Sequence, residues 1–126
     1  MNKQLLLIDD DFDDQDIFKE AVASAELPIK CFYASSAKQG IELLDILTPD
    51  FIFLDINMPL MNGFECLYAI KKKDKVNQIP VVMCSTGVDE KTKASALALG
   101  AVACIRKESS IRKFGEILKT LLSPRI

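Results

Sequence analysis

Four apolar residues in a row, Phe51-Ile52-Phe53-Leu54, run directly into the carboxylate of Asp55, and Pro59 follows four residues later. A strand with one wet face alternates apolar and polar residues. A continuous run suits a strand buried on both faces, as in a parallel sheet covered by helices. Such a strand delivers its last residue to the carboxyl edge of the sheet, where open α/β folds bind their ligands. An Asp closing one isolated strand serves equally well to begin a turn, because its side chain bonds local backbone amides. Polar residues at matching ends of other strands decide between the two readings.

The rest of the chain supplies them. Leu5 to Ile8 forms a first apolar run that ends in Asp9-Asp10-Asp11. Ile17, Phe18, Ala21, Val22 and Ala25 then recur at helical spacing until Pro28 breaks the pattern. Ile29 to Tyr33 predicts a second strand, shorter and more polar, and therefore at an edge. Ser36-Ala37-Lys38-Gln39 matches a capping box, opening a helix with Ile41, Leu44 and Leu47 as its apolar stripe. Within it, Gly40 costs roughly 1 kcal/mol against Ala.

Beyond Asp55 the loop from Asn57 to Gly63 is rich in helix breakers, and Phe64, Leu67 and Ile70 mark a third helix ending in Lys71-Lys72-Lys73. Those lysines read as a solvated helix end, placed where the macrodipole favours positive charge. Pro80 to Cys84 predicts a fourth strand, followed by Ser85. Asp89 caps a fourth helix carrying Ala94, Leu97 and Ala98, with Gly100 as its stop. Val102 to Ile105 is the fifth strand, closing in Arg106-Lys107. Ser109 or Ser110 caps the last helix, whose inward residues are Ile111, Phe114, Leu118 and Leu121.

Five alternations of strand and helix with crossover spacing predict an α/β, doubly wound parallel sheet. The 126 residues are expected to make one domain, 1–126, with no room for a second, output domain. A formal net charge of −2 argues against a nucleic-acid-binding surface, which needs a clustered basic face. No apolar run approaches the roughly 20 residues of a membrane span. The first residues lack a signal peptide's architecture, so a cytoplasmic location is expected. Cys31, Cys66, Cys84 and Cys104 form no Cys-x-x-Cys pair and read as small buried hydrophobes. The chain has no histidine, which removes Ser-His-Asp triads, Cys-His dyads and a phosphohistidine of its own.

Four strands thus end in polar groups: Asp9 and Asp10, Asp55, Ser85, and Lys107. In a doubly wound sheet all four ends share one edge. Three crowded carboxylates repel unless a cation intervenes, and hard oxygen ligands of this kind suit Mg²⁺. A lysine and a hydroxyl at the same rim offer charge neutralisation and a hydrogen-bond donor to a phosphoryl group. An aspartate can itself be the nucleophile and form an acyl phosphate. The set points to phosphoryl transfer onto Asp55.

These residues, together with Met58-Pro59-Leu60-Met61-Asn62-Gly63, closely resemble the receiver domain of two-component response regulators, over essentially the whole chain. The resemblance implies a flavodoxin-like, five-stranded parallel sheet in the order 2-1-3-4-5, with five helices on both faces. It implies that Asp55 is the phospho-acceptor, served by a histidine kinase or a histidine phosphotransfer protein. Mg²⁺ would be bound by Asp10, Asp55 and the backbone carbonyl of Asn57, with Asp9 acting through water. Lys107 would pair with the acyl phosphate, and Ser85 would be the switch hydroxyl. The output surface would be the fourth helix, fifth strand and fifth helix, meeting a protein target or a second copy of the chain in a homodimer. The protein would be a signalling component, with self-phosphorylation and autodephosphorylation at Asp55 as its only chemistry.

Two positions depart from the family pattern. Cys104 stands where an aromatic switch residue is usual, and Glu108 follows Lys107 where a cis-proline is usual. A cis bond before a non-proline residue costs ~2.5–4 kcal/mol, so a trans Lys107–Glu108 bond is expected. Glu108 also brings negative charge near the site. Asp13, Asp14 and Asp16 read as macrodipole compensation on a solvated face, with partner docking as the alternative. Two rival functions follow from the residues. A degenerate receiver would bind a partner without being phosphorylated. An aspartyl phosphatase would need a second Asp two residues after the first, where Asn57 stands.

Overall fold

A computed structural model describes residues 2–126. Five strands, β1 (Lys3–Ile8), β2 (Ile29–Ala34), β3 (Phe51–Asp55), β4 (Val81–Ser85) and β5 (Ala103–Arg106), form one sheet. Every pairing is parallel, and the order is β2-β1-β3-β4-β5, as the resemblance implied. Helices α1 (Phe12–Ser24), α2 (Ala37–Leu43), α3 (Gly63–Lys71), α4 (Glu90–Ala98) and α5 (Ile111–Leu122) cover it, and a short 3₁₀ turn spans Ser123–Arg125. This is the flavodoxin-like α/β fold.

The two-residue period of each strand divides the core in two. Leu6, Ile8, Ile52, Leu54, Val81, Met83 and Cys104 pack with residues of α2, α3 and α4. Leu5, Leu7, Phe51, Phe53, Val82 and Cys84 pack with residues of α1 and α5. On that side Phe18 meets Phe53 and Phe114 edge-on, with ring centroids 5.1 Å and 5.6 Å apart. All five residues of β3 are buried, which is why its sequence is a continuous apolar run.

Local chemistry sets the helix ends. The Asp11 carboxylate caps α1 by accepting from the Asp13 and Asp14 amides. Asn62 and Glu65 form a reciprocal capping box on α3. Ser110, not Ser109, caps α5. Before α2, Ser36 accepts from the Gln39 amide as expected, but the Gln39 side chain bonds the Ser35 amide instead of that of Ser36.

Three helical stripes differ from the periodicity reading. Helix α2 stops at Leu43, and it buries Ala37 and Gly40 with Leu44 just beyond, while Ile41 and Leu47 are only partly covered. Gly40 lies so close to β1 that an added Cβ would stand 2.5 Å from Ile8 Cδ1, so the glycine permits the approach. Helix α4 buries Ala96, whereas Ala94, Leu97 and Ala98 face outward. Helix α5 buries Phe114, Gly115, Leu118 and Leu122, leaving Ile111 and Leu121 half-covered. Of the triple lysine, Lys73 pairs with Asp45 at 3.0 Å and Lys71 bonds the Asn77 carbonyl, so this helix end is tied down at two points.

Candidate functional site

Parallel pairing brings all the polar strand ends to one edge, and strand parity then sorts them by face. Asp9 continues Leu5 and Leu7, Asp55 continues Phe51 and Phe53, and Lys107 continues Ala103 and Ile105, so all three lie toward α1 and α5. Ser85 follows Val81 and Met83 and shares its face with Cys104, toward α3 and α4. The acidic cluster and the hydroxyl therefore meet at the edge from opposite faces of the sheet.

Asp9 and Asp55 are buried, each only 3% exposed. One oxygen of each accepts a backbone amide: Asp11 N–H to Asp9 at 3.0 Å, Asn57 N–H to Asp55 at 3.2 Å. The other oxygen of each meets the Lys107 ammonium, at 3.1 Å for Asp9 and 3.3 Å for Asp55. The shortest contact of that ammonium is to neither. It donates to Asp14 on the first turn of α1 at 2.7 Å. Asp14 is thus part of the site, not only a dipole-compensating charge on a solvated face.

Apolar groups underlie this cluster. Leu7, Phe18, Cys84 and Phe114 line, with Asp9, Asp55 and Lys107, a cavity of about 20 Å³, roughly the room for one water. Burial pushes the Asp55 carboxyl up to about 7; the charge of Asp9 adds to this, and Lys107 and the Asn57 amide oppose it. Burial also raises Asp9, against the Asp11 amide and Lys107. For Lys107, burial alone would lower the pKa, but the hydrogen bond to Asp14 and the charges of Asp9 and Asp55 outweigh it and hold the ammonium above its ordinary range. The lysine is a fixed cation. The aspartates share too little positive charge.

A divalent ion is the remedy that the donor set fits. Asp9, Asp10 and Asp55 each place a carboxylate oxygen within 4.8 Å of the other two. Hard anionic oxygens at that spacing, with no sulfur or imidazole, suit Mg²⁺ or a similar cation. A cleft of about 230 Å³ opens above them, lined by Asp10, Asp14, Asp55, Asn57, Thr86 and Lys107.

The loop after β3 is fixed by close approach. Gly63 N–H bonds the Ile56 carbonyl at 2.8 Å, and an added Cβ on Gly63 would collide with the Asp55 carbonyl oxygen. Buried Met58 and part-buried Met61 pack the loop onto the core. Asn57 turns its side-chain amide to the Ser85 hydroxyl at 2.9 Å. Ser85 is 2% exposed, and its oxygen also accepts from Gly87 N–H at 3.4 Å. Cys104, at 6% exposure, packs in the core beside Met83, its β4 partner.

The Lys107–Glu108 bond is trans, and no peptide bond among the described residues is cis. Glu108 directs its carboxylate to the Ser110 amide at 3.0 Å and so braces the entry to α5. Lys107 N–H bonds the Ser85 carbonyl at 2.8 Å, which aligns the β5 end with the β4 end.

Residues 5–119 match the response regulator receiver domain. The chain belongs to this family. Among receiver-containing relatives, it is 31% identical to the transcriptional regulatory protein CpxR homolog of Haemophilus influenzae over 121 residues, covering 94% of this chain and 50% of the relative. It is 28% identical to the probable C4-dicarboxylate response regulator DctR of Bacillus subtilis over 116 residues, covering 92% of this chain and 50% of the relative. The chain therefore spans half the length of these two relatives. Its receiver fold superposes on the phosphorylated cyanobacterial phytochrome response regulator RcpA with a TM-score of 0.84 and 25% identity, covering 98% of this chain and 93% of that one. No helix among the described residues is long and apolar enough to cross a membrane.

Proposed function

We propose that this receiver accepts a phosphoryl group on Asp55 from a phosphohistidine of a histidine kinase or phosphotransfer protein in the cytoplasm. The observation that carries this reading is the placement of the Asp55 carboxylate between a fixed ammonium at 3.3 Å and two further carboxylates suited to a divalent cation. Asp10, Asp55 and the Asn57 carbonyl would hold Mg²⁺, with Asp9 acting through water. The ion supplies charge neutralisation for the phosphoryl oxygens.

Asp55 supplies the nucleophile. A P–O bond forms to its carboxylate as the P–N bond of the donor breaks, and that electron pair returns to the imidazole nitrogen. Lys107 neutralises charge gathering on the equatorial oxygens. These 126 residues hold no histidine, so the receiver itself does not carry the donor. Ser85 would read the product. Its oxygen accepts from Asn57, which leaves its own proton free to be donated to a phosphoryl oxygen. Movement of Ser85 would carry the β4–α4 segment and change the face formed by α4, β5 and α5, where a target protein or second copy would dock. With Cys104 in place of an aromatic ring, that change rests on Ser85 and its loop alone.

Beryllofluoride mimics an acyl phosphate and tests the reading. With Mg²⁺ present it should shift amide resonances across Val81–Ser85, Gly87 and α4, and Asp55→Asn should abolish the shifts. Absence of binding to the wild type would favour a receiver that acts as a phosphorylation-independent binding module. Binding without shifts beyond the site would make the protein a phosphoryl relay instead of a switch.

A further inference from the structure

The Lys107 ammonium has three N–H donors, and three carboxylates surround it: Asp14 at 2.7 Å, Asp9 at 3.1 Å and Asp55 at 3.3 Å. The Asp14 contact is a directed hydrogen bond and the other two are ion-pair contacts, so to reach a phosphoryl oxygen the ammonium must shift within this cage of carboxylates. Phosphorylation of Asp55 weakens that residue as an acceptor but also brings new anionic oxygens, so the ammonium must loosen another contact to follow them.

The three partners are not equivalent. The Asp9 side chain is 5% exposed, and its bond lies where water cannot replace it. The Asp14 side chain is 31% exposed and borders the open cleft together with Asp10, Asn57 and Thr86. Water can solvate Asp14 once the lysine leaves, so this is the bond that costs least to give up. Asp14 is also held in place. It lies one helical turn before Phe18 and two before Ala21, both buried, so its phase on α1 aims it at the sheet edge.

We propose that Asp14 is the exchange partner of the phosphoryl group: it holds Lys107 in the unphosphorylated state, and release of that bond opposes the phosphorylated one. This rests on Asp55 being the acceptor. Asp14 is a positioning residue, acting through the lysine. Its removal should free one ammonium donor and favour the phosphoryl-bound state without improving the metal site, which would lose a neighbouring negative charge.

The test is calorimetric titration of beryllofluoride at saturating Mg²⁺, and of Mg²⁺ alone, into the wild type, Asp14→Asn and Asp13→Asn. Asp13 is exposed on the same turn and makes no contact with Lys107, so it controls for general charge. The expected result is beryllofluoride affinity raised roughly threefold to tenfold in Asp14→Asn alone, with Mg²⁺ affinity unchanged or lower. A merely structural role would weaken both. In a Lys107→Met background the Asp14→Asn gain should vanish. An equal gain there, or in Asp13→Asn, would mean simple charge repulsion and overturn the proposal, as would unchanged or weaker beryllofluoride binding in Asp14→Asn. Failure of every variant and the wild type to bind beryllofluoride would instead strike the Asp55 reading, and this one with it.

Discussion

The Asn57 side-chain amide donates to the Ser85 hydroxyl at 2.9 Å, joining the loop after β3 to the end of β4 across 28 residues of chain. This bond links the residue two past Asp55 to the residue proposed to sense its modification. Ser85→Ala should leave labelling of Asp55 intact, because no ligand or nucleophile is removed. It should shrink the beryllofluoride-induced shifts in α4 by about half or more, since the hydroxyl is the only side-chain group proposed to couple them. The check is the same amide spectrum in wild type and variant. Undiminished shifts would show that the loop responds without Ser85.

Stability should depend on pH through Asp55. Its folded carboxyl is pushed up to about 7 from an ordinary 3.8, so between those values the native state binds more protons than the unfolded one. Without divalent ions, stability should therefore fall as pH rises from about 4 to 7 and level off above. Asp55→Asn removes this penalty and should be more stable than wild type at pH 8 by about 1–3 kcal/mol, a range discounted for the sharing of Lys107. The difference should fade near pH 4. Urea unfolding at both pH values measures it.

Mg²⁺ should relieve the same repulsion. Adding it at pH 8 should raise the wild-type unfolding midpoint, and Asp10→Asn should weaken Mg²⁺ binding by about tenfold or more. Calorimetric titration decides this. Equal affinity in the two proteins would remove Asp10 from the metal site.

Gly63→Ala tests the geometry that holds Asp55 in place. A methyl group there meets the backbone carbonyl of Asp55, which cannot rotate away as a side chain would. The variant should lose about 1–3 kcal/mol by thermal unfolding despite the better helix propensity of Ala. It should also weaken Mg²⁺ binding, because the Asp55–Asn57 segment must shift.

Much of the site could be read from residue order because strand ends carry their own signal. An apolar run that stops at a carboxylate marks both the buried strand and the edge it reaches, and Asp9, Asp55, Ser85 and Lys107 all announced themselves this way. Asp14 did not. Three acids at a helix start look alike as dipole compensation, and only the phase Asp14 shares with Phe18 and Ala21 sets it apart from Asp13. That signal was present in the sequence, but its partner Lys107 lies 93 residues away. Helix α4 was misread for the opposite reason. Residues 94–99 are apolar at every position but Ser95, so periodicity has no contrast from which to find the buried face. The glycine at position 40 looked like a local cost and proved to be a contact with Ile8, which depends on packing between elements and not on helix propensity.

The claim that Asp55 is the phospho-acceptor is tested most directly by incubation with radiolabelled acetyl phosphate, with and without Mg²⁺. The account predicts acid-stable, hydroxylamine-labile label on the wild type when Mg²⁺ is present, little without it, and none on Asp55→Asn under either condition. Label on Asp55→Asn at the wild-type level, or a wild type that takes up none with Mg²⁺ present, would contradict it.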